Sequence, residues 1–483
     1  MVFNNILTLE VLTLLTCLTS ASKVDAPYPN QQQIHLDPAN GHSHHHHHSS
    51  NTSPASNQER GSTNSWERSF LPGHRKFDLF ENSCPIPSSE LVPWPGGIGK
   101  GSKWTEVPHC TRMPHVTATT GVKNETGIND TFCTFSTKSF QGGRGISVAT
   151  KPHIAEKIAT LPAFKMSSGV DLWKKSYPPF EIKPVPGKGM GVIANRTIFR
   201  GERLFAHAAV GIYHNDIFLT RRSKDYRLRN RMMEVGVDKL PEESRKKFHA
   251  MIGQKNAHHV VQGQLNVNTF GEDFGGEEHS IIIPETARMN HDCRPNSMYY
   301  FDPETLIHYT QAARTINAGE EVTITYIDPL QSREDRQKAI TYSWGFQCTC
   351  SHCLQPTTYS EASDGRILAI NSLVKLLLGE TKLKGNTTPS AAEKTKIAEL
   401  LVDLYEQERL VSHIVDAWMW AAQTHKEAGN LWESLKWTYR SEEGSLIHEG
   451  PRNEAATRMG NLVQKVSEKL GVDLGYLTEE DEE

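Results

Sequence analysis

Arg288-Met289-Asn290-His291-Asp292-Cys293-Arg294-Pro295-Asn296 is the stretch on which the reading of this chain turns, together with Cys348-Thr349-Cys350-Ser351-His352-Cys353 further along. The three thiols of the second stretch lie too close together in sequence for all of them to pair with one another as disulfides, but they can close around one metal ion. Cys293, arriving from a distant loop, completes four sulfur ligands, the tetrahedral set that Zn²⁺ prefers. An ion held there pins the 348–353 segment against the Asn290-His291 loop.

Two more stretches accompany these in order. One is Ala318-Gly319-Glu320-Glu321-Val322-Thr323-Ile324-Thr325-Tyr326, and the other is Trp344-Gly345-Phe346-Gln347 leading into Cys348. Upstream lies Gly187-Lys188-Gly189-Met190-Gly191. Each piece alone is weak evidence, but their order and combination are specific. Together, over roughly 177–355, they resemble the catalytic core of SET-domain protein methyltransferases with a post-SET zinc site. The chain is similar to the SET- and MYND-type branch of that family. In that branch the region matching 215–258 carries a cysteine-rich MYND finger; here it holds no cysteine, so neither the finger nor its partner-docking role carries over.

The resemblance implies an α+β fold: a SET-type β-clip of small twisted sheets with a helical insertion, a post-SET zinc loop and an all-α, TPR-like C-terminal lobe. It implies S-adenosylmethionine as cofactor, one structural Zn²⁺ on Cys293, Cys348, Cys350 and Cys353, and a protein substrate presenting a lysine, from a histone or another protein. Tyr326 matches the family's catalytic tyrosine. Lys188, Gly189, Met190, Gly191, Asn290, His291 and Phe346 match cofactor-holding positions. Asn268, Phe270, Tyr299 and Trp344 match the substrate channel. Where relatives often carry a tyrosine, Trp344 has no hydroxyl, which leaves the methylation degree open.

The residue types suit that chemistry. Methyl transfer to an amine is an in-line displacement, and a lysine with an ordinary pKa of about 10.4 must first lose its proton. A tyrosine hydroxyl can favour the charge distribution of the transition state. An Asn side chain can both donate and accept, and glycine lets backbone approach a ligand. Plainer readings stand beside these. Tyr326 could be a core residue at a strand end, Asn290 to Asn296 a turn, Gly189-x-Gly191 a hairpin, and Trp344 with Phe346 packing beneath the zinc loop. Glu320 and Glu321, adjacent in a strand, point to opposite faces and are not a paired-carboxylate site. Asp328, Arg333 and Arg336 are expected to tie the connector to the core through ion pairs.

With 483 residues, 37% apolar and 8% aromatic, the chain can form two or three domains with a real core. A net charge of −4 gives no global basic field, so no direct nucleic-acid binding is expected, and a monomer is. Residues 1–21 contain the apolar stretch Ile6–Leu18, too short to span a bilayer, and read as a signal peptide, though Met1–Asn5 lacks Lys or Arg and Glu10 interrupts the run. No other stretch is a membrane-span candidate. Five Asn-x-Ser/Thr sequons, at Asn51, Asn124, Asn129, Asn195 and Asn386, agree with a secretory route. Methyl-donor chemistry and reduced thiolates suit the nucleus or cytosol instead, and the compartment stays open.

Residues 22–75, with their histidine tract His44–His48, read as a polar disordered segment. Residues 76–150 read as a small Cys- and Trp-containing module, with a strand over Gly142–Thr150. Cys84, Cys110 and Cys133 allow one disulfide and a free thiol, or a fully reduced set. The SET-like part spans 177–330 with a helical insertion at 215–258, the zinc segment 331–355 and the helical lobe 361–475. In that lobe two helices look like a tetratricopeptide pair, but too few repeats are visible to separate this from a generic bundle. Glu479 to Glu483 is an acidic run that reads as a solvated tail. Two non-enzymatic readings remain at this stage: a catalytically silent SET scaffold that binds a partner, and a secreted binding protein acting through its N-terminal module.

Overall fold

The computed structural model describes residues 102–114, 129–166, 178–217, 226–255, 257 and 259–472. The chain divides into Met1–Pro85 and Ile86–Glu483, and every described residue lies in the second unit. The expected leader, the polar segment 22–75, Cys84 and the acidic run lie outside the described residues.

The chain opens on β1 (His109–Pro114), β2 (Asn129–Thr137) and β3 (Ile146–Thr150), then α1 (Pro152–Thr160). Strands β4 (Phe180–Val185), β5 (Gly189–Ala194), β6 (Arg203–Ala208) and β7 (Gly211–His214) follow. A helical insertion holds α2 (Tyr226–Asp238), α3 (Glu242–His249) and α4 (Val260–Asn268). Next come β8 (Thr269–Phe274), β9 (Glu277–Ile282), β10 (Asn290–His291), β11 (Ser297–Asp302), β12 (Ile307–Ala312) and β13 (Glu321–Ile324). The remainder is helical: α5 (Arg333–Trp344), α6 (Thr357–Leu377), α7 (Ala391–Gln407), α8 (Ile414–Glu427), α9 (Leu431–His448) and α10 (Glu454–Leu470). The fold is α+β, as expected.

Three sheets carry the core, in strand orders β1-β2-β3-β7-β9-β8, β10-β13-β5-β4 and β11-β12-β6. The first corrects the expected domain boundary. Residues 109–150 are not a separate module, because β3 pairs in parallel with β7 and so joins the meander β1-β2-β3 to the SET-like strands. The reason is apolar patterning on both faces. Val148, Ile212 and Ile281 face one core with Ile154 and Ile158 of α1, whereas Ala149, Tyr213 and Ile282 face the insertion helices through Met232, Phe248 and Leu265. A strand apolar on both faces needs cover on both sides. Directly opposed in the β1–β2 register, Cys110 and Cys133 form a disulfide, which sets aside the fully reduced set.

The insertion starts α3 just after Pro241, with Glu242 and Glu243 in its first turn and Phe248 buried, as the sequence suggests. It also runs further than 258. Residues 260–268 are α4, because Val261 and Leu265, four apart, both bury against α2 and α3 residues. In the C-terminal lobe each helix from α6 to α10 packs on the next, an arrangement common to bundles and repeat arrays. Its helix starts are written locally, as in the Ser390–Glu393 capping box of α7. Among the described residues no helix is long and apolar enough to cross a membrane.

A fragment beginning at residue 151 removes three strands from the six-stranded sheet and uncovers Ile212 and Ile281. It is expected to lose the cooperative thermal melt that the full chain shows by circular dichroism. Retention of that melt would restore the separate-module reading.

Buried histidines make stability depend on pH. Burial, aided by the neighbouring His214, holds His279 down at about 4, and burial holds His308 and His448 at about 3. Folded values below the ordinary value near 6.5 mean that the unfolded chain takes up protons more readily. Their contribution is therefore present above about pH 6.5 and is lost as pH falls toward about 4. Urea midpoints should be lower at about pH 5 than at about pH 7.5. An unchanged midpoint would contradict this.

Candidate active site and metal centre

The candidate metal centre, a cluster of four cysteines, is built by α5 and the two loops it holds together. Ser332 caps the helix by accepting from the Asp335 N–H, and Gly345 ends it with φ at 74°, a left-handed conformation that glycine adopts without a Cβ clash. The chain thereby turns back toward the helix. Gln337 then grips Cys348 at both backbone atoms, donating to its carbonyl at 2.8 Å and accepting its N–H at 2.9 Å. Ile340 packs among the four cysteines from the same helix.

Cys293, Cys348, Cys350 and Cys353 are all buried, with sulfur atoms within 4.8 Å of one another, the one such cluster among the described residues. Cys293 Sγ lies 3.9 Å from Cys348 Sγ and 3.5 Å from Cys353 Sγ. Four sulfurs about 2.3 Å from a tetrahedral zinc ion sit about 3.8 Å apart, so both the donor type and the spacing fit that ion. Contact with Cys348, Cys350 and Cys353, together with burial, raises the Cys293 thiol pKa. A cation among the sulfurs reverses that by favouring thiolates.

The second part of the site lies on β5, β10 and β13. β10 pairs in parallel with β13, setting Asn290 beside Thr323 and His291 beside Ile324. Asn290 donates from Nδ2 to the Met190 carbonyl at 3.2 Å and to Glu321 Oε1 at 2.8 Å. Lys188 pairs with Glu321 Oε2 at 2.7 Å. Glu321 thus joins residues from two of the sequence motifs, a role missed because a strand glutamate next to Glu320 carries no local signal. Glu320 points the other way, toward Arg314 and Asn296. Gly191 sits in the same cradle: a Cβ there would meet Glu321 Oε1 at 2.8 Å and Asn290 Nδ2 at 2.9 Å. The cradle admits backbone only, the condition for close approach of a ligand to the chain. Ile252, 62% exposed, lies beside Gly189 and is a second neighbour that its sequence position did not reveal.

His291 links the two parts. Its Nδ1 accepts the Tyr326 N–H at 3.1 Å, which leaves Nε2 to donate to Cys293 Sγ at 3.3 Å. Burial lowers its pKa to about 4, so the ring is neutral and this tautomer is the one the bonds require. Tyr326 donates its hydroxyl proton to the Met289 carbonyl at 2.7 Å, and its ring lies 5.2 Å from that of Trp344. Burial, and then the Glu321 charge, raises the phenol pKa, keeping the hydroxyl protonated.

The other expected site residues divide. Phe270 and Tyr299 touch, with ring centroids 4.8 Å apart, and pack on the same core as Tyr326. Trp344 donates from Nε1 to the Val267 carbonyl at 3.1 Å. Asn268 instead ties the insertion down, donating to the Ile252 and Gln264 carbonyls at 2.7 Å each. Phe346 is 39% exposed. The expected ion pairs of Asp328, Arg333 and Arg336 do not form: their side chains meet loop backbone instead. Asp328 accepts the Leu330 N–H, Arg333 donates to the Gln355 carbonyl, and Arg336 to the Gln331 carbonyl.

Arg294, the residue after Cys293, makes a buried connection to the helical lobe. It donates to the Glu408 carbonyl and to Glu408 Oε2, each at 2.6 Å. The Glu408 side chain is fully buried and also accepts from Ser363 and from Arg366, each at 2.7 Å.

A family model described as the SET domain matches residues 189–327. Residues 189–327 therefore carry a SET domain, and its helical insertion holds no cysteine from which a MYND finger could be built. Histone-lysine N-methyltransferase set5 of Schizosaccharomyces pombe is 33% identical over 180 residues, 36% of this chain and 50% of that protein. A SET and MYND domain-containing protein of Dictyostelium discoideum is 33% identical over 100 residues, 19% of this chain and 29% of its own length. N-lysine methyltransferase SMYD2 of Bos taurus is 35% identical over 96 residues, 20% of this chain and 22% of its own. The chain thus spans half or less of the length of these relatives.

Removing the Glu408 carboxylate strands Arg294 in the interior. Glu408→Ala should cost about 3–5 kcal/mol, the usual effect of breaking a buried pair. Urea unfolding of the full chain measures it, and a loss below about 1 kcal/mol would show the junction to be solvated.

Proposed function

We propose that this protein is an S-adenosylmethionine-dependent protein-lysine N-methyltransferase acting on a histone or another protein. One observation carries the reading: the His291 ring binds the Tyr326 backbone, so the tyrosine sits directly beside the Asn290–Gly191–Glu321 cradle. The names of the relatives, two of them lysine methyltransferases, support the activity and offer histone as one substrate class.

When bound, the cofactor supplies a methyl group activated by a sulfonium. Asn290 keeps both amide protons engaged with Met190 and Glu321, so Oδ1 is the atom it can offer to a ligand amine. Lys188, neutralised by Glu321, contributes mainly backbone, as do Gly189, Met190 and Gly191. Phe346, exposed next to the zinc loop, supplies an aromatic face for the adenine. Tyr326 and Trp344 form an aromatic wall for the lysine side chain, with Phe270 and Tyr299 behind it. The Tyr326 proton is committed to the Met289 carbonyl, so the oxygen lone pairs are what the hydroxyl presents to the reacting amine. With its pKa raised, the tyrosine orients and does not act as a phenolate base. The amine proton leaves to water before the new N–C bond forms, and a drier aromatic channel favours that loss. The zinc centre on Cys293, Cys348, Cys350 and Cys353 is structural: all four positions are filled by protein sulfur, leaving no open site for substrate.

Tyr326→Phe should lower methyl transfer to histone or peptide-array substrates by about 10²–10³-fold, a typical effect of losing one transition-state hydrogen-bonding group. Calorimetric S-adenosylhomocysteine binding should stay unchanged in Tyr326→Phe and disappear in Gly191→Ala. Wild-type protein that carries zinc but binds no S-adenosylhomocysteine would favour a silent SET scaffold instead.

A further inference from the structure

Arg336 is the largest side chain among the fully buried residues described, 1% exposed, and no carboxylate pairs with it. Its Nη1 donates to the Gln331 carbonyl at 2.5 Å, and its Nε has no hydrogen-bond partner. A buried guanidinium without an anion is costly, since charge is taken out of water with nothing to offset it. The neighbouring carboxylate, Glu408, is already shared by Arg294 and Arg366.

An anion is available from the metal centre. Arg336 lies four residues before Ile340 on α5, and so on the same helix face, and Ile340 packs among the four cysteines. One residue further on, Gln337 holds the Cys348 backbone. Four thiolates around a divalent ion carry a net charge of minus two, whereas four neutral thiols carry none.

We propose that Arg336 is the counter-cation of the four-cysteine centre, a positioning residue that stabilises the metal-loaded form and destabilises the metal-free form. This rests on the reading of the cysteines as a zinc site, not on the methyltransferase activity. It explains why an arginine with no carboxylate partner is buried one helical turn before Ile340, the residue that packs among the sulfurs: its partner is the tetrathiolate as a whole. It also makes zinc occupancy a condition for the close packing of α5, and through Cys293 and Arg294 for the seat of the helical lobe.

The test uses the full chain with zinc bound and after chelation, as wild type, Arg336→Met and Arg336→Lys. Zinc release to a chromogenic chelator should be roughly ten- to a hundredfold faster in Arg336→Met, the range for lost outer-shell partners of a metal. Arg336→Lys, which keeps the charge, should stay close to wild type. The melting temperatures should move in opposite senses: Arg336→Met lowers that of the zinc form and raises that of the chelated form. Equal lowering of both forms, or unchanged zinc release, would overturn the proposal and leave Arg336 as a plain packing residue. If Arg336→Met fails to fold, Arg336→Lys decides alone, with near-wild-type retention supporting the charge role and rapid release refuting it. A wild-type chain without zinc would remove the metal reading and this inference together, while leaving S-adenosylhomocysteine binding as a separate question.

Discussion

Four sulfur atoms from two distant segments meet within 4.8 Å of one another, and much of the site depends on that closure. Cys293 follows β10 directly, so drawing it to Cys348, Cys350 and Cys353 fixes β10 beside β13 and brings the end of α5 onto both. His291 then has one orientation in which both ring nitrogens are used, with sulfur on one side and the Tyr326 N–H on the other. The tyrosine is therefore held at two points, its backbone by His291 and its hydroxyl by Met289. A loose 348–353 segment would leave the imidazole and the tyrosine with nothing to set their positions at the sub-ångström level that catalytic geometry demands.

Charge inside this region is arranged in units that neutralise one another. Glu321 serves Lys188 and Asn290 on the cradle side, and Glu408 serves Arg294, Arg366 and Ser363 on the lobe side. Each carboxylate ties together elements far apart in sequence. Buried ion pairs add little net stability over apolar packing, but they are unforgiving of misplacement, and so they specify one arrangement of lobe against core. Arg294 is the hinge of this logic, since its neighbour Cys293 belongs to the metal centre while its own guanidinium belongs to the lobe.

The six-stranded sheet shows how far local reading reaches. The apolar alternation at Ile146 and Val148 marks β3 as a strand, and β3 is one. Its partner is another matter. That β3 runs parallel to β7, from a segment read as a different module, follows from two apolar faces that must both be covered, a demand that appears only when the helices on each side are in place. The same holds for α4, where Val261 and Leu265 become helical because the insertion helices offer them a surface. Tertiary burial overrides the weak local preference of such a stretch.

Chemistry-bearing residue types at fixed spacing are legible in the sequence because the chemistry itself sets the spacing. Four cysteines spaced to ligate one ion, a glycine that must leave room, and a tyrosine near a strand end are visible without coordinates, and the order of these pieces carries the resemblance to SET domains. What only the tertiary structure decided is which side chains serve those residues. Glu321 grips Asn290, Gln337 grips Cys348, Asn268 turns to Ile252, and Arg336 is buried with no carboxylate partner. These roles carry no sequence signature, because a hydrogen bond or a buried charge acts through space, and its partner is chosen by how the chain folds back rather than by its neighbours along it.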